Sequence, residues 1–319
     1  MLQSLLFLVL GMVGLYFGAE WLVRGAARFA ANLRVSPLFI GLTIVSFGTS
    51  APEMVICVVA AVQKNSDVAL GNVLGSNVAN VGLILALTAV VAPLPVAMRL
   101  VRRELPFMLG ATLVLYALAS RLSIGRLEGA LFFAALILFS WLALRWARAE
   151  PPPVVAEYER YEEAAGLRRP VRILRDLGLL GLGLSLLLTG GHLLVTAAVD
   201  LAQRAGISDL IVAATVVAVG SALPELATSI VAAVRGEADL VVGNVVGSNV
   251  FNILGALGLS AMVHPVRIGA SLVGLEFAAF LLFSLALGLV LRTGHTVSRR
   301  EGVILLVAYA VFVTRLYMG

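Results

Sequence analysis

The sequence has 319 residues, of which 61% are hydrophobic and 13% are charged, and its net charge is +5. A soluble protein of this length carries about 25% charged residues, so this composition leaves too little polar surface to face water on all sides. It excludes an ordinary soluble domain. The single cysteine, Cys57, excludes an internal disulfide and a cysteine-based zinc or iron–sulfur site.

Ten apolar segments, delimited by charged residues, glycine or proline, follow one another along the chain. A helix needs roughly 20 apolar residues to cross a bilayer. The first segment has neither a basic region before it nor a cleavage site of small residues after it, so we interpret it as a membrane span and not as a signal peptide. The predicted spans lie near 2–23, 37–62, 67–93, 105–120, 124–146, 173–199, 207–234, 238–263, 270–291 and 301–318.

The basic residues indicate how these spans are oriented. If the N-terminus lies outside, most of the 23 lysines and arginines fall in loops on the inner side, as the positive-inside rule requires. We therefore expect a multi-pass protein of the plasma or bacterial inner membrane, with both termini on the outer side. Topology then explains the positive net charge, and we expect no nucleic-acid partner.

The longest polar stretch divides the chain into two halves. Residues 148–170 contain three consecutive prolines, Pro151 to Pro153, followed by several glutamates. So short a stretch is too small to fold as a separate domain, and we interpret it as a cytoplasmic linker. The predicted fold is an all-α integral membrane protein with ten transmembrane helices. Residues 1–147 form one five-helix repeat, and residues 171–319 form the second.

An internal repeat supports this division. The segment from Gly48 to Glu53, Gly-Thr-Ser-Ala-Pro-Glu, matches Gly-Ser-Ala-Leu-Pro-Glu from Gly220 to Glu225. At the same offset along the chain, called the repeat offset below, the Gly-Asn-x-x-Gly-Ser-Asn motif at 71–77 recurs at 243–249. Because five is an odd number of helices, the second copy enters the membrane from the opposite face. The sequence therefore predicts an inverted repeat, a plan that places a transporter's binding site at the midplane between the repeats.

The second predicted span is interrupted by proline. Pro52 cannot donate a backbone hydrogen bond, and it frees carbonyl groups in the preceding turn. Within a bilayer such a break is tolerated only where the freed groups are buried in protein or line a polar cavity. We expect broken helices at spans 2 and 7, with carbonyls such as those of Ser46 and Thr49 available to a cation. The hydroxyls of Thr49 and Ser50 share a helix face with the Glu53 carboxylate.

The third span supplies an opposing polar stripe. Asn72, Ser76 and Asn80 recur at every fourth position of an otherwise apolar helix, and Gly71 and Gly75 form a small-xxx-small pair that allows close helix packing. Hydroxyl, carbonyl and carboxylate oxygens suit Na⁺ or Ca²⁺ better than soft metals. The second repeat offers the matching residues Ser221, Glu225, Asn244, Ser248 and Asn252.

Each of these polar residues also has a purely structural interpretation. An isolated glutamate within a span can tie helices together, but two at equivalent repeat positions, each after a proline, favour a functional pair. Ser76 and Ser248 can be packing residues. The asparagines can tie helices, an interpretation that applies mainly to Asn72 and Asn244. We expect the same of Asn77 and Asn249, which lie off the polar stripe.

These paired motifs resemble the α-repeats of the cation/Ca²⁺ antiporter superfamily, and in particular its prokaryotic sodium/calcium exchanger branch. The resemblance covers the whole chain. It implies paired glutamates that bind Ca²⁺ and Na⁺ in alternation, assisted by oxygens of the broken helices. By position, the implied ligands are Thr49, Ser50, Glu53, Ser76, Asn80, Ser221, Glu225, Ser248 and Asn252, with the carbonyl groups near Ser46 and Ala218.

Two positions depart from the family pattern. Ala222 stands where the family usually has a second hydroxyl, so one Na⁺ position lacks a side-chain ligand. Asn252 stands where related exchangers often carry aspartate, which leaves two glutamate charges at the centre. Both departures bear on the monovalent ion, since Ca²⁺ still finds two carboxylates.

The sequence thus predicts a transporter and not an enzyme, without a cofactor. Its transported ions are Ca²⁺ and Na⁺, and we expect it to function as a monomer in the lipid bilayer. Ca²⁺/H⁺ antiport on the same scaffold is the main alternative, and a cation channel could use the same ligands. An intramembrane hydrolase built on Ser221 is disfavoured because no suitably placed histidine or aspartate pair accompanies it.

Overall fold

A computed structural model describes residues 2–33, 35–119, 121–148, 169–204, 220–269 and 274–318. Long helices dominate these segments. Those of the first half are α1 (Leu2–Leu33), α2 (Pro37–Thr49), α3 (Ala51–Val62), α4 (Ser66–Val91), α5 (Met98–Arg102), α6 (Glu104–Ala119) and α7 (Arg126–Arg148). Those of the second half are α8 (Arg169–Arg204), α9 (Leu223–Val234), α10 (Ala238–Val263), α11 (Leu275–Arg292) and α12 (Arg299–Met318).

Six of the described helices are long and apolar enough to cross a membrane, and α2 and α3 together count as a seventh span. The six are α1, α4, α7, α8 from Ile173, α10 and α11. Helix α6, with 16 residues, is shorter than a typical span, and the first part of the predicted seventh span, 207–219, lies outside the described residues. The ten-helix count therefore stays a prediction, as does the linker at 148–170. Helices α1 and α8 extend beyond the predicted ends of their spans, to Leu33 and Arg204.

Three of the helices contain a π-helical turn, which was not predicted from the sequence. These turns are Gly41–Val45 in α2, Asn80–Leu85 in α4 and Phe251–Ala256 in α10. The last two begin within one residue of matching places in the two halves, and they contain the predicted ligands Asn80 and Asn252. A π turn adds a residue to the helical repeat and is often found at functional sites.

Four two-residue strands, also not predicted, link the halves of the chain. They are β1 (Leu94–Pro95), β2 (Ser123–Ile124), β3 (Val266–Arg267) and β4 (Thr296–Val297). Strand β1 pairs antiparallel with β4, and β2 pairs antiparallel with β3. Each ribbon therefore joins one strand from each half, and the two ribbons have the reciprocal arrangement that a two-fold relation between the halves produces.

Helices α1 and α8 pack against each other in an antiparallel pair. A Cβ atom added at Gly18 would lie 2.6 Å from the backbone nitrogen of Leu187, and one added at Gly190 would lie 2.7 Å from that of Leu15. Gly18 matches Gly190 and Leu15 matches Leu187 at the repeat offset. The two contacts are therefore equivalent under the repeat. Only glycine allows the two backbones to approach so closely.

Polar side chains join the two ends of this helix pair. The Ser4 hydroxyl donates a hydrogen bond to Asp200 at one end. At the other end, Asn32 Nδ2 donates to Asp176 Oδ2 over 2.5 Å, and Asp176 is fully buried. Because buried polar contacts fix the register of packed helices, α1 and α8 form one mechanical unit.

A buried carboxylate connects this unit to α9. Glu20 is 6% exposed, and it accepts two hydrogen bonds from the guanidinium of Arg235, the residue that follows α9; the Nε contact measures 2.6 Å. Arg24, one turn further along α1, pairs with Glu20 as well, at 2.5 Å. Two arginines thus neutralise a carboxylate that would otherwise be costly to bury.

We predict that Arg235→Gln lowers the melting temperature of the detergent-solubilised protein. Glu20 then keeps only Arg24, whose side chain is half exposed, and the loss amounts to about 1–3 kcal/mol. Arg204→Gln is the matched control, because its pair with Asp200 lies at the surface and its removal leaves the melting temperature nearly unchanged. Equal melting temperatures for the two variants would contradict a stabilising role for the buried pair.

Candidate cation-binding site

The proline motif breaks the helix as predicted. Ser50 separates α2 from α3 with φ −84° and ψ 3°, and the two helix axes form an angle of 47°. Ala222, before α9, has nearly the same backbone conformation, with φ −86° and ψ −3°. Each break is followed by proline in the first helical turn, where the missing N–H is tolerated.

The carbonyl of Ser46 is not freed by this break. It accepts a hydrogen bond from the Ser50 N–H over 2.9 Å, and its role as a cation ligand stays a prediction. The carbonyl keeps this bond because Pro52 removes the donor that would bond the carbonyl four residues earlier, that of Gly48, and not the one at Ser46. Only the second lone pair of the Ser46 carbonyl is left for a cation.

Glu53 and Glu225 lie in the first turns of α3 and α9, and each is 3% exposed. The two carboxyl groups are close enough for their charges to repel each other, and the Thr49 hydroxyl hydrogen-bonds the carboxyl group of Glu225. Among the described residues, no lysine or arginine acts on either carboxyl group. The two halves of the chain thus contribute one buried acid each to a common centre.

Several buried oxygens of the predicted ligands have no hydrogen-bond partner among the described residues. A buried polar atom left unpaired costs about 1–3 kcal/mol, so native proteins rarely contain a group of them. Each of these oxygens is of a type that binds hard cations. They are Ser50 Oγ, Glu53 Oε2, Glu225 Oε2, Ser248 Oγ and Asn252 Oδ1.

Helix α2 packs closely along α10, and hydroxyl groups connect them. A Cβ atom added at Gly243 of α10 would lie 2.7 Å from the Leu38 carbonyl oxygen. The Ser46 hydroxyl lies 3.0 Å from the Asn244 carbonyl oxygen, and Thr49 Oγ1 lies 3.4 Å from Asn244 Oδ1. Asn244 therefore ties two helices together, as the structural interpretation predicted, and Thr49 lies between this tie and Glu225.

The polar stripe of α4 faces α3. Asn72 Nδ2 lies 3.2 Å from Cys57 Sγ and 3.4 Å from the Glu53 carbonyl oxygen, which confirms Asn72 as a helix tie. Ser76 is half-buried on the same face. Asn80, at the start of the π turn, is 4% exposed and donates a hydrogen bond from Nδ2 to Asn249 Oδ1.

Part of the predicted site is not described. Ala218 lies outside the described residues, and Ser221 is half-buried in the turn before α9. No described residue lies within 4 Å of a Cβ atom added at Gly71 or Gly75. The residues that match Leu38 and Leu42 at the repeat offset lie outside the described segments. Close packing at these two glycines stays a prediction, whereas it is observed at the matching Gly243.

Comparison with known proteins bears on the whole chain. The putative antiporter CaxA of Alkalimonas amylolytica is 41% identical over 97% of each chain. The sodium/calcium exchanger MaX1 of Methanosarcina acetivorans is 30% identical over 98% of each. A solved structure of the sodium-calcium exchanger NCX_Mj, soaked with Na⁺ and Sr²⁺, is 28% identical, covers 98% of each chain and superimposes with a TM-score of 0.84.

A family model for the sodium/calcium exchanger protein matches this chain twice, over residues 3–145 and again over 176–318. The two matches together cover most of the sequence, and each contains one Gly-x-x-x-Pro-Glu motif. With the apolar helices, they identify a multi-pass membrane protein. The chain belongs to the sodium/calcium exchanger family.

Proposed function

We propose that this protein is a secondary active antiporter that exchanges Ca²⁺ for Na⁺ by alternating access. Both cations compete for one midplane site built on Glu53 and Glu225. The observation that carries the proposal is the meeting of these two buried carboxyl groups, one from each half of the chain, without a basic partner among the described residues. The sodium/calcium exchangers among the similar proteins support the choice of ions.

The composition of the site explains why transport is an exchange. Two carboxylates in a region of low dielectric repel each other strongly when no cation is bound. One Ca²⁺ neutralises the two carboxylates, and two Na⁺ ions do the same. Ca²⁺ and two Na⁺ bound together would exceed the negative charge of the pair. The empty site keeps its buried negative charge, which opposes the conformational change between the two sides of the membrane. A cation must therefore be bound each time the protein makes that change.

The oxygens near the two glutamates are sufficient for Ca²⁺. This ion takes six to eight oxygen ligands and tolerates irregular geometry. The two carboxylates provide up to four, and the unpaired oxygens of Ser50, Ser248 and Asn252 provide three more. Thr49, Ser76, Asn80 and Ser221, with the carbonyls near Ser46 and Ala218, complete the proposed set of ligands.

The proposed architecture has ten transmembrane helices in two inverted five-helix repeats, 1–147 and 171–319, joined by a cytoplasmic linker at 148–170. The reciprocal β-ribbons, the reciprocal contact of α1 with α8 and the two separate family matches support it. Both termini lie on the outer side of the cell membrane, and the monomer is the transporting unit. All residues named for the site come from one chain.

The pair of α1 and α8 is the proposed moving part. It meets the broken helices through small contacts: a Cβ atom at Gly48 would lie 2.9 Å from Leu184 Cδ2, and Gly220, at the matching break, faces Val195. At these two glycines, aliphatic side chains form a smooth surface, while the ion pair Glu20–Arg235 joins α1 to the end of α9. Such a surface allows two packed helices to slide over the site and change the side from which ions enter.

We predict that Glu53→Gln or Glu225→Gln abolishes exchange, because either change removes half of the charge that holds Ca²⁺. The assay is ⁴⁵Ca²⁺ uptake into proteoliposomes with a Na⁺ gradient imposed. Glu104→Gln is the control, since Glu104 is also a buried carboxyl, 4% exposed, but lies near Arg99 and Arg103 away from the site. It retains uptake. Flux that survives either glutamine substitution at the site refutes the assignment.

We predict that an outward-directed Na⁺ gradient drives Ca²⁺ uptake into these vesicles at equal pH on both sides, and that a pH gradient alone does not. Ca²⁺ flux that follows the pH gradient and ignores Na⁺ would establish Ca²⁺/H⁺ antiport instead. The absence of a hydroxyl at Ala222 and of a carboxylate at Asn252 is the observation that favours this second candidate. Flux that neither saturates nor requires a counter-ion would indicate a channel.

We predict that Ala222→Ser strengthens Na⁺ binding. It restores on the second repeat the hydroxyl that Ser50 carries, fully buried, on the first. One added oxygen ligand, at roughly 1.4 kcal/mol, lowers the half-saturating Na⁺ concentration about tenfold, with a smaller effect on Ca²⁺. Ser50→Ala has the opposite effect. The Na⁺ dependence of ⁴⁵Ca²⁺ release measures both, and identical Na⁺ curves for all three proteins would exclude a Na⁺ position beside these residues.

A further inference from the structure

One hydrogen bond crosses between the repeats next to the proposed site. Asn80 Nδ2 donates to Asn249 Oδ1 over 2.9 Å. Both residues are buried, at 4% and 1% exposed. Asn80 begins the π turn of α4, and Asn249 lies near the end of the α-helical part of α10, just before its π turn. The bond therefore connects a proposed ligand of one repeat to a residue of the other that is not itself a proposed ligand.

The direction of this bond decides which end of the Asn80 amide is available to a cation. An asparagine side chain has a donor end and an acceptor end, and only the oxygen binds a cation. With Nδ2 engaged by Asn249, Oδ1 of Asn80 is left for the ion. The flipped amide would place two acceptor oxygens against each other and turn the NH₂ group toward the site, which disfavours it.

Asn249 is itself held in the orientation that this requires. Its Nδ2 faces Met108 Sδ of α6 at 3.8 Å, so its Oδ1 is the end presented to Asn80. A thioether sulfur accepts hydrogen bonds and cannot donate them. In this series of contacts from α6 through α10 to α4, each asparagine amide therefore has one favourable orientation.

The matching pair in the other repeat lacks this link. Asn77 and Asn252 correspond to Asn249 and Asn80 at the repeat offset. Asn77 Nδ2 donates to the Val73 carbonyl of its own helix over 2.7 Å. Neither Asn77 Oδ1 nor Asn252 Oδ1 has a hydrogen-bond partner among the described residues. A hydrogen bond between the repeats thus fixes the orientation of the Asn80 amide, and no such bond is seen for Asn252 among the described residues.

We propose that Asn249 is a positioning residue for cation binding: it holds the Asn80 amide with its oxygen toward the cation. This rests on the proposed function, in which Asn80 is a ligand. Residues that orient ligands in this way typically change metal affinity by about 10–100-fold when they are removed.

The test compares Asn249→Ala with Asn77→Ala, a matched substitution in the other repeat. Asn249→Ala raises the half-saturating Ca²⁺ concentration about tenfold with less than about a twofold change in maximal uptake, and Asn77→Ala leaves both at the parent value. Isothermal titration of the purified proteins with Ca²⁺ measures the same affinities without transport. If Asn249→Ala does not fold, Asn249→Leu keeps the volume and serves the same purpose.

A second background separates positioning from a general structural effect. Asn80→Asp replaces the amide by a carboxylate whose two oxygens are equivalent, so no orientation has to be selected. In that background Asn249→Ala leaves the Ca²⁺ affinity of the Asn80→Asp protein unchanged. The same tenfold loss in both backgrounds overturns the proposal, and so does an unchanged affinity of Asn249→Ala alone.

The glutamate variants distinguish failure of this inference from failure of the proposed function. If Glu53→Gln and Glu225→Gln lose Ca²⁺ binding in the titration while Asn249→Ala keeps it, only the role of Asn249 is refuted. If the glutamate variants bind Ca²⁺ like the parent protein, the site is wrong and both proposals fall with it.

Discussion

The burial of two like charges in a membrane protein is the constraint on which the rest of this structure depends. Glu53 and Glu225 are both almost fully buried and interact with each other. A charged side chain at the centre of a bilayer costs several kcal/mol even when it is partly relieved by its surroundings. The chain accepts this cost twice, and buried oxygens of Ser50, Ser248 and Asn252 also lack a hydrogen-bond partner among the described residues. In the proposed site, the helix break at Ser50 and the π turns of α4 and α10 bring these oxygens to one cation.

Much of this arrangement could be predicted from the sequence, because the responsible signals are local. Pro52 and Pro224 mark the helix breaks, and the constant repeat offset identifies the partner of every motif. Together these two signals identify Glu53 and Glu225 as an equivalent pair. By contrast, the π turns at Asn80 and Phe251 have no residue signature of their own, since helix propensity does not distinguish π from α geometry.

The features that could not be predicted arise from contacts between distant segments. The bond between Glu20 and Arg235 spans 215 positions, and periodicity within one helix predicts only its partner Arg24, one turn away. The strands β1 to β4 are too short to show an alternating pattern. The Ser46 carbonyl is a different case: proline removes the donor to the carbonyl four residues earlier, that of Gly48, so Ser46 keeps its helical hydrogen bond.

The inequality of the repeats is relevant to transport itself. Two identical inverted repeats would give two conformations of equal energy, open to opposite sides, because the two-fold axis would convert each into the other. Here the repeats differ in three features. Ser50 has a hydroxyl group, and its counterpart Ala222 does not. Asn249 hydrogen-bonds Asn80, whereas Asn77 bonds a carbonyl of its own helix. The pair Glu20–Arg235 corresponds to His192 and Gln63, which cannot form an ion pair of that kind. In the proposed mechanism, the duplication provides the two states, and differences between the copies, such as the ion pair that joins α1 to α9, set the relative population of those states.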